Sequence, residues 1–175
     1  MSETKQLLLI RHGKATLQPQ FKDFDRPLTS TGENQSRCIA DWLKQSAISP
    51  DCWLVSAARR TVQTADIIRL LLGQQDTVQN VTGNLYLAEA DDILASIQSA
   101  PDAASCVAVV GHNPGLSQLL MELSGKQLSS FSVAPDVMWP ATLAVIQFDG
   151  QWSDLPQLPI TLKYVVHGKL MAYEH

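Results

Sequence analysis

Arg11, His12 and Gly13 follow directly on four aliphatic residues, Leu7-Leu8-Leu9-Ile10. An unbroken apolar run of this kind reads as a buried strand. The arginine and histidine then fall at its carboxyl end, where ligands bind in open α/β sheets, and the glycine lets other groups come close to the backbone. A second histidine has the same setting, because the run 105–110 (SCVAVV) ends in Gly111-His112-Asn113-Pro114. A third junction, Ser56-Ala57-Ala58-Arg59-Arg60, follows Cys52-Trp53-Leu54-Val55. Together these residue types suit work on a phosphoryl group. A neutral imidazole nitrogen of His12 would attack phosphorus, and guanidinium groups would hold the oxygens on which charge builds.

Arg59 and Arg60 sharpen this expectation. Both fall in the first turn of an expected helix, where a cation is unfavourable by roughly 0.3–1 kcal/mol against the dipole. An anion bound at that end removes the conflict. Metal chemistry fits less well: no Cys or carboxylate accompanies the two histidines at ligand spacing, and arginines repel a cation. Ser56 lacks the Gly-x-Ser-x-Gly elbow of a serine nucleophile, and no Gly-x-x-x-x-Gly-Lys-Ser/Thr loop is present. His167 and His175 lack such a context and are expected at the surface.

Several elements must position these groups. The polar stretch 14–28, with Pro19 and Pro27, is expected to lie as a loop over the end of the first strand, with Lys14 and Arg26 as candidate substrate contacts. Ser30-Thr31-Gly32-Glu33 has capping-box spacing, with Ser30 as N-cap, and opens a helix to about residue 45. A second helix reaches about Leu72, with Gly73 placed to end it. A weak strand near Val81 and a helix over 90–99 follow. Asn113 as N-cap and Pro114 at the first helical position start a fourth helix. After a long loop over 125–140 come a strong strand over 142–148, a turn at Asp149-Gly150 and a last strand over 160–166. Strand and helix alternate early, which implies a mostly parallel central sheet covered by helices on both faces, with at least one antiparallel strand in the final pair: a three-layer α/β/α sandwich. If the sheet is parallel, all three junctions share one edge.

Composition sets the outer bounds. At 175 residues the chain fits one domain, 1–175. A net charge of −4 argues against nonspecific binding to nucleic acid or to an anionic membrane. Cys38, Cys52 and Cys106 sit in apolar surroundings without a Cys-x-x-Cys pair and read as reduced thiols. With no signal-length or membrane-length apolar run, a cytoplasmic protein is expected.

The junctions carry a resemblance as well. Leu9-Ile10-Arg11-His12-Gly13-Lys14-Ala15, Asp25-Arg26-Pro27-Leu28-Thr29 with Gly32, Val55-Ser56 with Arg60 and Thr64, and Gly111-His112-Asn113-Pro114 occur in the order found in the histidine phosphatase superfamily. The chain resembles that superfamily, also called phosphoglycerate-mutase-like, and within it the SixA-type phosphohistidine phosphatases. A departure is Ala57, where the family often has proline. The resemblance implies that His12 is the phosphorylated nucleophile and that Arg11, Arg60 and His112 form its phosphate pocket. Arg60, not Arg59, has the family spacing from Ser56. Gly13, Lys14, Arg26 and Asn113 are the accompanying candidates for substrate binding. No metal or organic cofactor is implied.

The substrate turns on the general acid. An alcohol leaving group wants a proton from one, whereas imidazole, with a conjugate acid near ~6.5, leaves more readily. Glu89 is the candidate acid, with Asp91 and Asp92 beside it, and helix capping accounts for all three equally well. The short chain also lacks a long insert that would form a lid. The leading expectation is hydrolysis of phosphohistidine on a protein of phosphotransfer type, by a monomer or weak dimer, through a phosphohistidine on His12. A small phosphate ester, such as a sugar phosphate or nucleotide, is the alternative substrate. A noncatalytic phosphate- or phosphoprotein-binding module is the alternative of another class.

Overall fold

A computed structural model of the protein describes residues 4–131 and 138–168. Its elements run β1 (Thr4–Arg11), α1 (Ser30–Gln45), β2 (Cys52–Ser56), α2 (Arg59–Leu72), β3 (Val78–Thr82), α3 (Ala90–Gln98), β4 (Cys106–Gly111), α4 (Gly115–Ser124), β5 (Thr142–Asp149) and β6 (Ile160–His167). The six strands form one sheet in the order β3-β2-β4-β1-β5-β6. Strands β3, β2, β4 and β1 pair in parallel, β5 pairs antiparallel to β1, and β6 antiparallel to β5.

The four aliphatics of β1 are consecutive because both faces of a central strand are covered. Leu7 and Leu9 pack with Ile93 and Ile97 of α3 and Leu116, Leu119 and Leu120 of α4. Leu8 and Ile10 pack on the other face with Ile39 and Leu43 of α1 and Ala65 and Ile68 of α2. All four β1 side chains are fully buried, each contributing about 1.5–3 kcal/mol. This is the expected three-layer α/β/α sandwich. Among the described residues no helix is long and apolar enough to cross a membrane.

Some local expectations are corrected. The N-cap of α1 is Thr29, not Ser30: Thr29 has extended backbone and its hydroxyl accepts from the Gly32 N–H. Helix α4 begins at Gly115, with Pro114 as its N-cap. The Asn113 side chain is used elsewhere, with Oδ1 accepting from Ser117 and Nδ2 donating to the Met138 carbonyl. The link from β5 to β6 is no tight turn. It holds a 3-10 turn, Trp152–Asp154, because the Trp152 ring is buried and its Nε1–H donates to the Ala104 carbonyl at 2.9 Å. The expected loop over 125–140 opens with a 3-10 helix, Gly125–Ser130, and its residues 132–137 lie outside the described residues. His167 is half-buried, with Nδ1 2.8 Å from Thr142 Oγ1, and His175 lies outside the described residues.

Candidate active site

Register brings the junctions together. Arg11 of β1 pairs with Gly111 of β4, and Val55 of β2 pairs with Val110 of β4. His12 and His112 are therefore the first residues beyond the paired ends of adjacent strands, and their ring centroids are 5.3 Å apart. Helix α2 starts at the end of β2 on the same edge and carries Arg60 in its first turn. Arg60 is 2% exposed, while Arg59 beside it faces solvent.

Arg60 fixes the protonation pattern of both histidines. A guanidinium only donates hydrogen bonds. Its Nε donates to His12 Nε2 at 3.2 Å, and its Nη2 donates to His112 Nδ1 at 3.2 Å. Both of those ring nitrogens are therefore bare. The opposite nitrogens carry the protons: His12 Nδ1–H donates to the Gly13 carbonyl at 2.7 Å, and His112 Nε2–H donates to Ser56 Oγ at 2.7 Å. Burial pushes the His12 imidazole down to about 3, with the Arg60, His112 and Arg11 charges pushing the same way against the Gly13 bond. Desolvation, more than the arginine charge, is what keeps the ring neutral. Burial, then Arg60, likewise brings His112 to about 4. Both rings stay neutral at physiological pH, and His12 Nε2 keeps its lone pair.

Glycine makes the approach possible. A side chain at Gly32 would place its Cβ 2.1 Å from the Lys14 carbonyl oxygen, and one at Gly13 would lie 2.5 Å from the Gly32 carbonyl oxygen. The start of α1 therefore presses directly on the backbone behind His12. Thr64 of α2 closes the other side, accepting from the Gly13 N–H at 3.1 Å. Gly32→Ala is expected to destabilise the fold by about 1–3 kcal/mol through overpacking against backbone that has no room to yield. A thermal melt reading several degrees below the parent checks it.

The pocket has a volume of about 420 Å³, and Arg11, His12, Lys14, Arg26, Arg60, His112 and Asn113 all line it. Arg11 Nη1 and Asn113 Nδ2 both donate to the Met138 carbonyl, at 2.8 and 2.7 Å. The candidate general acid Glu89 is not brought there. It is exposed at the N-cap of α3 and does not line the pocket. The carboxylate that does line it is Asp23, in a 3-10 turn (Asp23–Asp25) of the 14–28 loop. Its backbone carbonyl accepts from Arg60 Nη1 at 2.6 Å and its Oδ2 from Arg60 Nη2 at 3.1 Å. Sequence reasoning missed Asp23 and Tyr86, whose hydroxyl donates to Asp23 Oδ2 at 2.5 Å while its ring packs edge-on to His112. The available signal was Arg60 itself, since a buried guanidinium needs a counterion. Among the described residues no group of three or more His, Cys, Asp or Glu is placed to hold a metal ion.

Comparison with known proteins bears on this geometry. The family description "Histidine phosphatase superfamily (branch 1)" matches residues 7–83. Phosphohistidine phosphatase SixA of Escherichia coli (strain K12) is 29% identical over 119 residues, covering 67% of this chain and 73% of its own. An uncharacterised protein of Picosynechococcus sp. is 33% identical over 116 residues, covering 65% of this chain and 69% of its own. Among solved structures, a provisionally assigned phosphohistidine phosphatase SixA from Nakamurella multipartitia superposes with a TM-score of 0.79 at 30% identity. That match covers 95% of this chain and 97% of the other.

Proposed function

The chain belongs to the histidine phosphatase superfamily, and from that premise we propose that this phosphatase removes phosphoryl groups from histidine on a protein, through a covalent phosphohistidine on His12. One observation carries the proposal: His12 is neutral, its Nδ1 proton is tied to the Gly13 carbonyl, and its bare Nε2 faces a guanidinium 3.2 Å away. A phosphoryl group entering the pocket takes the place of the Arg60–His12 bond. Arg60 and Arg11 then donate to its oxygens, with His112 lining the pocket beside them. His12 Nε2 attacks phosphorus as the bond to the leaving nitrogen breaks. Charge on the equatorial oxygens peaks in that transition state, and donors already in place stabilise it most there. Water attacks the phosphohistidine in turn, phosphate leaves, and His12 is restored. The guanidinium groups supply the positive charge, so the route runs without a metal.

A protein substrate is supported by the rim. Leu17 and Leu87 line the pocket and are 84% and 51% exposed, and Phe24 stands nearby against Tyr86. A small sugar phosphate offers hydroxyls, which gain nothing from such a rim, whereas a folded partner can cover it. Lys14 and Arg26 add positive charge at the mouth, and the printed name of the Escherichia coli relative points the same way. The test is a panel of one phosphorylated histidine phosphotransfer protein beside sugar phosphates and nucleotides. The phosphoprotein is expected to lead in kcat/KM by roughly a hundredfold, the scale that a few kcal/mol of extra apolar contact supplies. A lead for any ester overturns the substrate assignment.

A further inference from the structure

Asp23 is the carboxylate that the steps above leave without a task. It lines the pocket with His12 and His112, and among the described residues no other Asp or Glu does so. Four hydrogen bonds converge on it. Oδ1 accepts from Arg26 Nε at 3.0 Å and Arg26 Nη2 at 2.5 Å. Oδ2 accepts from Arg60 Nη2 at 3.1 Å and from the Tyr86 hydroxyl at 2.5 Å. A carboxylate has about four acceptor positions in all, so Asp23 is saturated while the pocket is empty. Arg60 Nη2 is at the same time shared with His112 Nδ1. A phosphoryl group between His12 and His112 needs that donor. As Nη2 turns to a phosphoryl oxygen, one acceptor position on Oδ2 opens beside the reacting atoms. The Arg60 Nη1 bond to the Asp23 backbone carbonyl keeps the two residues together through the exchange.

We propose that Asp23 determines specificity for the leaving group: its vacated Oδ2 accepts a hydrogen bond from the ring N–H of a departing imidazole. This rests on the phosphohistidine reading of the site. The substrate ring is phosphorylated on one nitrogen and protonated on the other. His12 Nε2 forms the new P–N bond as the old one breaks, and the electron pair of the broken bond stays on the departing ring. That ring leaves as neutral imidazole, its N–H held by Oδ2, and Asp23 gives up no proton. The Tyr86 hydroxyl, then the Arg26 and Arg60 guanidiniums, hold the Asp23 carboxyl well below the usual carboxylate range. A group so firmly ionised is no acid for an alkoxide, and its charge opposes one. The same charge favours a protonated ring. Tyr86 is the positioning residue, its ring edge-on to both Phe24 and His112.

The experiment compares 1-phosphoimidazole, at a pH that protonates its second ring nitrogen, with its 3-methyl derivative, which carries a methyl in place of that N–H. Each rate is divided by that probe's spontaneous hydrolysis. Asp23→Asn keeps the side chain's size, and circular dichroism checks the fold. The ratio of kcat/KM for the N–H probe over the N-methyl probe is expected to fall roughly tenfold or more in Asp23→Asn, the worth of a charge-assisted hydrogen bond. Any general loss through a displaced Arg60 cancels in that ratio. An unchanged ratio overturns the proposal, even where both rates drop, because Asp23 then only holds Arg60. The wild-type phosphoprotein panel reads separately: a lead for esters there sinks the substrate assignment, while the probe ratio still reports on Asp23.

Discussion

His12→Ala is expected to lower kcat on an aryl phosphate by about 10⁴-fold or more while the protein stays folded. The size follows from the route, because removing the nucleophile of a covalent mechanism removes the path itself, not one contact along it. The fold should survive for a local reason. His12 lies just beyond the paired end of β1, and among the described residues its ring hydrogen-bonds Gly13 and Arg60 alone. Its loss leaves one carbonyl and one guanidinium N–H short of a partner, a cost of about 1–3 kcal/mol apiece at most. That is a fraction of a domain's usual 5–15 kcal/mol. Rapid quench of the parent should trap a phosphoenzyme that is labile to acid and stable to alkali, and His12→Ala should show none. Wild-type turnover by the variant would remove the nucleophile assignment.

Arg60→Ala is the second large effect, with an expected loss of about 10³-fold in kcat/KM, the upper end for deleting one preorganised donor to a developing oxyanion. The upper end applies because Arg60 touches both histidines as well as the phosphoryl site. Arg60→Lys should recover no more than about tenfold of this. One ammonium cannot reproduce a planar fork that serves His12, His112 and Asp23 together. Arg60→Ala should also cost stability, since it empties a buried site and leaves His12 Nε2 and His112 Nδ1 without a donor, at about 1–3 kcal/mol apiece. The Asp23 side chain, by contrast, is 46% exposed and stays bonded to Arg26 and Tyr86. A loss confined to KM would mean that Arg60 binds the ground state alone.

Most of the architecture was legible before any coordinates, and for a physical reason. Strands buried on both faces write themselves as apolar runs, so Leu7 to Ile10 and residues 105–110 announced β1 and β4. Parallel pairing then forced His12, Arg60 and His112 to one edge without any knowledge of strand order. Helix starts read less well, because the choice among Thr29, Ser30, Asn113 and Pro114 depends on which side chain tertiary contacts require elsewhere. Asn113 went to the Met138 carbonyl, 25 residues away, which no local rule sees. Asp23 and Tyr86 stayed hidden for the same reason, being 63 residues apart and meeting only over Arg60. Glu89 stands out in the sequence as an acid beside Asp91 and Asp92, and the structure places it at the N-cap position of α3.

The neighbours of β1 have a consequence for synthesis. Strand β1 leaves the ribosome ahead of both its neighbours, pairing with Cys106–Gly111 on one side and Thr142–Asp149 on the other. It must wait roughly a hundred residues for either partner, a delay that slows folding. A nascent chain halted before β4 has emerged carries the nucleophile but no seat for it. Onset of turnover on stalled chains of increasing length would therefore time the closing of the central sheet.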